Sequence, residues 1–200
     1  YDVKLTDVNN YADITGATFT GEHLGINNMH IGGLAGSCYV TEVRNASNTG
    51  KILATPVYNV IEEAYVGGLF GILSAAAVDC TNDGEVHLDF KRGTISAGGF
   101  AGAVSSNYSS DIISNCINNA DICYNQNISD FTYSGTPVLL KASIGGFAGE
   151  AHIILSDCIN KGDVNCGFAH YCEMAGIAGN ASGKSKYFAE ENKYKPIPSI

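Results

Sequence analysis

Two motifs return in the same order along this chain. A sequence that repeats itself at a fixed period is built from units that bury their apolar faces against one another. The first motif is apolar-Gly-Gly-apolar-small-Gly, found at residues 31–36, 66–71, 97–102 and 144–149, with a more divergent copy at 174–179. Its second glycines are Gly33, Gly68, Gly99 and Gly146. The second motif, Cys-x-Asn-x-Gly-acidic-aliphatic, is whole at residues 80–86 and 158–164. Residues 116–122 put Ala in the glycine place, and residues 46–52 replace the cysteine and the acid. Cys80, Cys116 and Cys158 therefore share one phase, and Asn48, Asn82, Asn118 and Asn160 share another. Residues 8–14 resemble 117–122 with one residue inserted, which reads as the end of an earlier coil.

The Gly-Gly motifs begin at residues 31, 66, 97, 144 and 174, spacings of 30 to 47 residues, which suit one supersecondary unit per repeat. Each unit holds three short β-prone runs separated by Gly or Asn, and no amphipathic helical stretch lies between them. Strands that recur in one direction make parallel sheets along a coil. The expected fold is thus all-β, a right-handed parallel β-helix of about five coils with three strands per coil. Glycines at fixed offsets would serve corners or close approaches between layers. The asparagines would tolerate left-handed corners and hydrogen-bond to their copies one coil away. A rise of about 4.8 Å per coil gives a body of roughly 24 Å plus caps. Segments 87–96 and 123–143 absorb the length differences and are expected as loops. The solenoid is expected over residues 1–183, with 184–200, carrying Pro196 and Pro198, as a cap or linker tail.

Composition narrows the partners. The chain has 24 Gly against 4 Pro, no Trp and only 16% charged residues, unlike an ordinary helical enzyme. Net charge is −9 with 11 scattered basic residues, so nothing cationic awaits a phosphate backbone and nucleic acid is not an expected partner. No apolar run approaches the roughly 18 to 20 residues that span a bilayer. Residues 1–10 lack the basic start and apolar middle of a signal peptide, so the chain reads as a mature product or an excised fragment.

The Gly-Gly-x-x-Gly and Asn-x-Gly-x-Val patterns resemble the GLUG repeat of bacterial surface proteins and of non-catalytic regions of immunoglobulin A peptidases. The resemblance covers residues 31–179, and residues 144–149 followed by 158–164 look like one full copy. It implies a secreted or surface-displayed solenoid, often adhesin-like, with no catalytic residues to carry over.

Candidate sites are few. Seven cysteines leave at least one thiol unpaired within the chain. The Cys80, Cys116 and Cys158 column suits core packing, because strand spacing exceeds the Cβ separation of about 3.8 Å that a disulfide wants. Cys38 aligns with Leu73, Val104 and Ala151, which also argues for burial. Cys166 and Cys172 share one probable loop and could close a disulfide in an exported protein. The acidic phase Glu85, Asp121 and Asp163, with Asp79 and Asp157 at another phase, is the lead for calcium binding or for acid–base work on a polysaccharide; Lys51 and Lys161 interrupt it. The histidines His23, His30, His87, His152 and His170 form no zinc signature, no nucleophile motif is present, and no cofactor is expected. Asn45, Asn107, Asn127 and Asn180 head Asn-x-Ser sequons. Tyr108, Tyr124, Phe131 and Tyr133 lie in or beside insertions and would either form a contact surface or cover the wall.

The expected function is a non-catalytic extracellular or cell-surface module for adhesion, display or assembly. Its partner would be a surface protein, a glycan or further subunits, recognised chiefly by segment 123–143. The alternatives are a carbohydrate-active β-helix, lyase-like, hydrolase-like or glycan-binding, and a stalk or filament subunit.

Overall fold

The computed structural model describes residues 3–15, 26–55, 61–90, 93–106, 108, 110–124, 140–167 and 171–182. They wind into a parallel β-solenoid with no helix among the described residues. The first, partial coil holds β1 (Lys4–Thr6), β2 (Asn9–Asn10) and β3 (Ile14–Thr15). The second holds β4 (Ile26–Gly32), β5 (Ala35–Arg44), β6 (Ser47–Asn48) and β7 (Ile52–Ala54). The third holds β8 (Ile61–Gly67), β9 (Phe70–Val78), β10 (Thr81–Asn82) and β11 (Val86–Leu88). The fourth adds a break, with β12 (Gly93–Gly98), β13 (Ala101–Ser105), β14 (Ile112–Ser114), β15 (Ile117–Asn118) and β16 (Ile122–Tyr124). The fifth matches it, with β17 (Leu140–Gly145), β18 (Ala148–His152), β19 (Ile154–Ser156), β20 (Ile159–Asn160) and β21 (Val164–Cys166). The last described residues hold β22 (Tyr171–Ala175) and β23 (Ala178–Ala181) of the next coil.

Like strands stack on like in four parallel sheets. Sheet 1 runs β1-β5-β9-β13-β18-β23 with β14 and β19 alongside, and sheet 2 runs β2-β6-β10-β15-β20. Sheet 3 runs β3-β7-β11-β16-β21, and sheet 4 runs β4-β8-β12-β17-β22. The expected three walls are therefore four. The Gly-Gly motif is not the middle of one strand but the corner between two, so it separates sheet 4 from sheet 1. That corner is itself hydrogen-bonded coil to coil, with Gly33 N donating to Gly68 O at 3.0 Å and Gly68 N to Gly99 O at 3.1 Å.

Register shows that residues 8–14 carry no insertion. Asn10 pairs with Asn48, so the asparagine phase runs Asn10, Asn48, Asn82, Asn118, Asn160. These asparagines are not the left-handed corners. They lie in the short strands of sheet 2, and the positive φ falls three residues earlier, at Asp7, Asn45, Asp79, Asn115 and Asp157, with φ between 50° and 57°. The acidic residues at 79 and 157 thus occupy a turn phase that tolerates the left-handed conformation, where side chains other than Gly, Asn and Asp are strained.

The asparagines instead form a ladder through the interior. Each side-chain amide donates twice: Asn48, Asn82 and Asn118 give one bond to the carbonyl two residues on and one to the Oδ1 of the next asparagine, all at 2.7–2.9 Å. Opposite them stand the corner glycines. A Cβ on Gly99 would lie 2.1–2.4 Å from the side chain of Asn118, and Gly33, Gly68 and Gly146 face Asn48, Asn82 and Asn160 in the same way. Glycine is required here by close approach rather than by φ.

This contact pinches the interior in two. Between sheets 1 and 2 lies one apolar cluster, with Leu73, Val104, Ile113 and the cysteine column. Between sheets 3 and 4 lies the other, with Ile52, Val86, Leu88, Ile95, Ile122 and Tyr124. In the first, Phe100 and Phe147 stack at 4.5 Å on adjacent coils, a pairing worth about 0.5–1.5 kcal/mol beyond its burial. Cys38 is buried in register with Leu73, as the alignment anticipated.

The segments read as loops are shorter than expected. His87 and Leu88 belong to β11 and Gly93–Gly98 is β12, while Cys123 and Tyr124 end β16 and β17 begins at Leu140. Residues 125–139, including Asn127, Phe131 and Tyr133, lie outside the described residues, as do Asn107 and 183–200.

Candidate functional site

The acidic phase sits where the chain turns from sheet 2 into sheet 3. There the main chain ties coil to coil, with Ile52, Val86 and Ile122 donating to the carbonyls of Glu85, Asp121 and Asp163 at 2.8–3.0 Å. The side chains project outward, yet most already hold the neighbouring coil. Asp13 Oδ1 accepts from the Lys51 amide, and Asp121 Oδ1 accepts from the Asp163 amide, both at 2.8 Å. Glu85 accepts from Lys51 Nζ at 2.8 Å and lies 3.0 Å from His87 Nε2. The Lys51 ammonium, helped by His87, holds the Glu85 carboxyl down at about 2.

Calcium wants several oxygens converging at one point, whereas here the carboxylates are spread one per coil and bonded to amides and an ammonium. Among the described residues, no group of three or more His, Cys, Asp and Glu side chains is placed to hold a metal ion. Lys51, which interrupts the motif in the sequence, makes the Glu85 contact possible. Asp79 is likewise engaged, 3.8 Å from Arg44.

Stacking brings one further pair to this wall that the motifs did not reveal. His87 and Cys123 stand in register on adjacent coils of sheet 3, with Glu85 bonded to the imidazole. A cysteine nucleophile needs a lowered thiol pKa. Burial and then the Asp121 carboxylate push the Cys123 thiol the other way. Only parallel register made the pair neighbours, since the two residues lie far apart in sequence.

The remaining candidates fall into place by phase. Cys80, Cys116 and Cys158 fill the first core, and their thiols turn to carbonyls, Cys80 to Val78 O at 3.3 Å and Cys116 to Ser114 O at 3.2 Å. Cys166 at the end of β21 and Cys172 in β22 have their sulfurs 2.9 Å apart. Asn45 is exposed at a left-handed corner and bonds to Asp7, whereas the Asn180 amide donates to Glu173. His30 contacts Ser37 at 2.6 Å, and His152 contacts Ser182 and lies 3.7 Å from Glu150; His23 and His170 lie outside the described residues.

The aromatic expectation needs correction at Tyr124. It is fully buried, because strand alternation in β16 turns it inward, and its hydroxyl donates to Phe90 O at 2.7 Å. Tyr108 does stand out, 65% exposed in the break between β13 and β14, and Tyr11 and Tyr39 are exposed elsewhere. A polar set that the motifs also missed flanks the Gly-Gly corner, on sheets 4 and 1. Its Ser96 and Ser143 hydroxyls, both buried, donate to Glu150 and Glu173 at 2.7 and 3.1 Å.

No helix among the described residues is long and apolar enough to cross a membrane. No family model matches the chain, and neither a curated protein nor a solved structure matches it.

Proposed function

We propose that this chain is a non-catalytic extracellular or cell-surface solenoid module of the GLUG-repeat kind, serving adhesion, display or assembly with other protein subunits. The observation that carries this reading is how the polar side chains of the repeat are used. The asparagines bond to one another, Glu85 and Asp121 bond to neighbouring coils, and the three cysteines pack in the core. A repeat whose chemistry is consumed in stacking is a scaffold, and a scaffold recognises through what differs from coil to coil. Those differences are Tyr11, Tyr39 and Tyr108 on the surface and the residues between β16 and β17.

The test is a glycan array together with immobilised extracellular-matrix and cell-surface proteins, run beside incubation with a polysaccharide panel. Binding without new reducing ends or unsaturated products supports the reading. Turnover of any polysaccharide refutes it in favour of a carbohydrate-active β-helix, and ordered polymers in negative-stain micrographs favour the filament subunit. Deleting residues 126–136 is expected to abolish binding while the β circular dichroism persists; unchanged binding removes that segment from the recognition surface.

A further inference from the structure

Two apolar columns run the length of the second core and end in cysteines. In sheet 3 the column is Ala54, Leu88, Tyr124, Cys166, and in sheet 4 it is Ala64, Ile95, Ala142, Cys172. One coil earlier the two places are held by Tyr124 and Ala142, both fully buried. On the last described coil no described residue covers them. Cys172 is exposed and Cys166 partly so, with their sulfurs 2.9 Å apart and their positions six apart in sequence. In the first core the Cys80, Cys116 and Cys158 thiols also reach backbone carbonyls, at 3.2–3.4 Å.

We propose that Cys166 and Cys172 are an oxidisable pair that closes into a disulfide and clasps β22 to β21 at the last described coil of the second core. The sulfurs need to approach by about 0.9 Å to reach the roughly 2.05 Å of a disulfide, a shift for which the exposed Cys172 and the partly exposed Cys166 leave room. The Cys172 thiol donates to the Cys166 sulfur and holds the Cys166 thiol below its ordinary value, so Cys166 is the attacking thiolate.

The oxidant is a low-molecular-weight disulfide such as oxidised glutathione. Cys166 thiolate attacks one of its sulfurs, the S–S bond breaks, and one glutathione thiolate leaves. Cys172 then gives its proton to solvent and attacks the Cys166 sulfur, expelling the second thiolate. Two protein thiols are oxidised and one disulfide is reduced to two thiols. Nothing in this step depends on the display reading, since it concerns only the Cys166 and Cys172 pair.

The experiment incubates the whole chain with oxidised glutathione, quenches with acid, alkylates under denaturing conditions and maps the peptides. The seven free thiols should fall to five, with one linked peptide joining Cys166 to Cys172. Cys172→Ser should trap glutathione on Cys166, while Cys166→Ser should give no lasting adduct at Cys172. Amide exchange in β22 should slow by about tenfold in the oxidised chain. Seven alkylated thiols in the wild-type chain, or a bridge between any other pair, overturns the proposal. The wild-type map needs no variant, so a substitution that misfolds does not blunt the test.

Discussion

Replacing Asn118 by alanine probes the interior ladder at its most enclosed point. The side chain is fully buried. It donates to Ala120 O at 2.7 Å and to Asn160 Oδ1 at 2.8 Å, and it accepts from Asn82 Nδ2 at 2.8 Å. Truncation leaves the Asn82 donor and the Ala120 carbonyl buried and unpaired, each costing about 1–3 kcal/mol. The Asn160 oxygen is only part-buried and adds less. The sum predicts a loss of about 4 kcal/mol, within the upper range for a single substitution. Asn160→Ala should cost about half as much, because its own carbonyl partner, Gly162 O, is part-buried and only one fully buried donor, on Asn118, is stranded. Asn118→Asp removes both donated bonds and buries a carboxylate, so its deficit should shrink as pH falls and the acid regains one donor. Gly99→Ala should destabilise by about 1–3 kcal/mol, since its Cβ collides with Asn118. Asn118→Ala should partly relieve that collision, giving a coupling term in the double mutant. Urea unfolding at 25 °C followed by circular dichroism reads all of these. If Asn118→Ala costs under about 1 kcal/mol, or no more than Asn160→Ala, the ladder does not hold the coils together.

Two further outcomes follow from the corners and the outer wall. At Asp79, whose φ is 57°, glycine should be within about 0.5 kcal/mol of wild type, whereas valine should cost about 1–2 kcal/mol; equal stability of the two variants would contradict a left-handed corner. The depressed Glu85 carboxyl contributes stability that is fully present above its unfolded value of about 4.3 and is lost as pH falls toward about 2. A carboxyl NMR titration should therefore give Glu85 a midpoint far below 4, moved upward by Lys51→Gln and by high salt. A wild-type midpoint near 4.3 would mean that the Lys51 contact does not persist in solution.

Much of this fold is legible in the letters because the same chemistry recurs at the same phase. Identical corners and identical inward residues can satisfy one another only if the coils stack in parallel and in register. The Gly-Gly motif, the asparagine phase and the alignment of Cys38 with Leu73 therefore pointed straight at the solenoid. Phase says which residues are equivalent along the rod, but not which residues face each other across a coil. That second relation depends on corner angles and strand alternation, which arise only once the chain closes. Hence the fourth wall, the meeting of Gly99 with Asn118, the inward turn of Tyr124 and the transfer of left-handed φ to Asp79 and its equivalents emerged in three dimensions. The same holds for function: spacing marked an acidic column as a calcium candidate, while the folded wall bonded Glu85 to Lys51 and Asp121 to the next coil's amide. The sequence by itself determined the period and the direction of stacking, because these follow from repetition. The tertiary structure alone decided which polar groups are consumed and which remain free, because hydrogen-bond partners on adjacent coils are neighbours only after stacking.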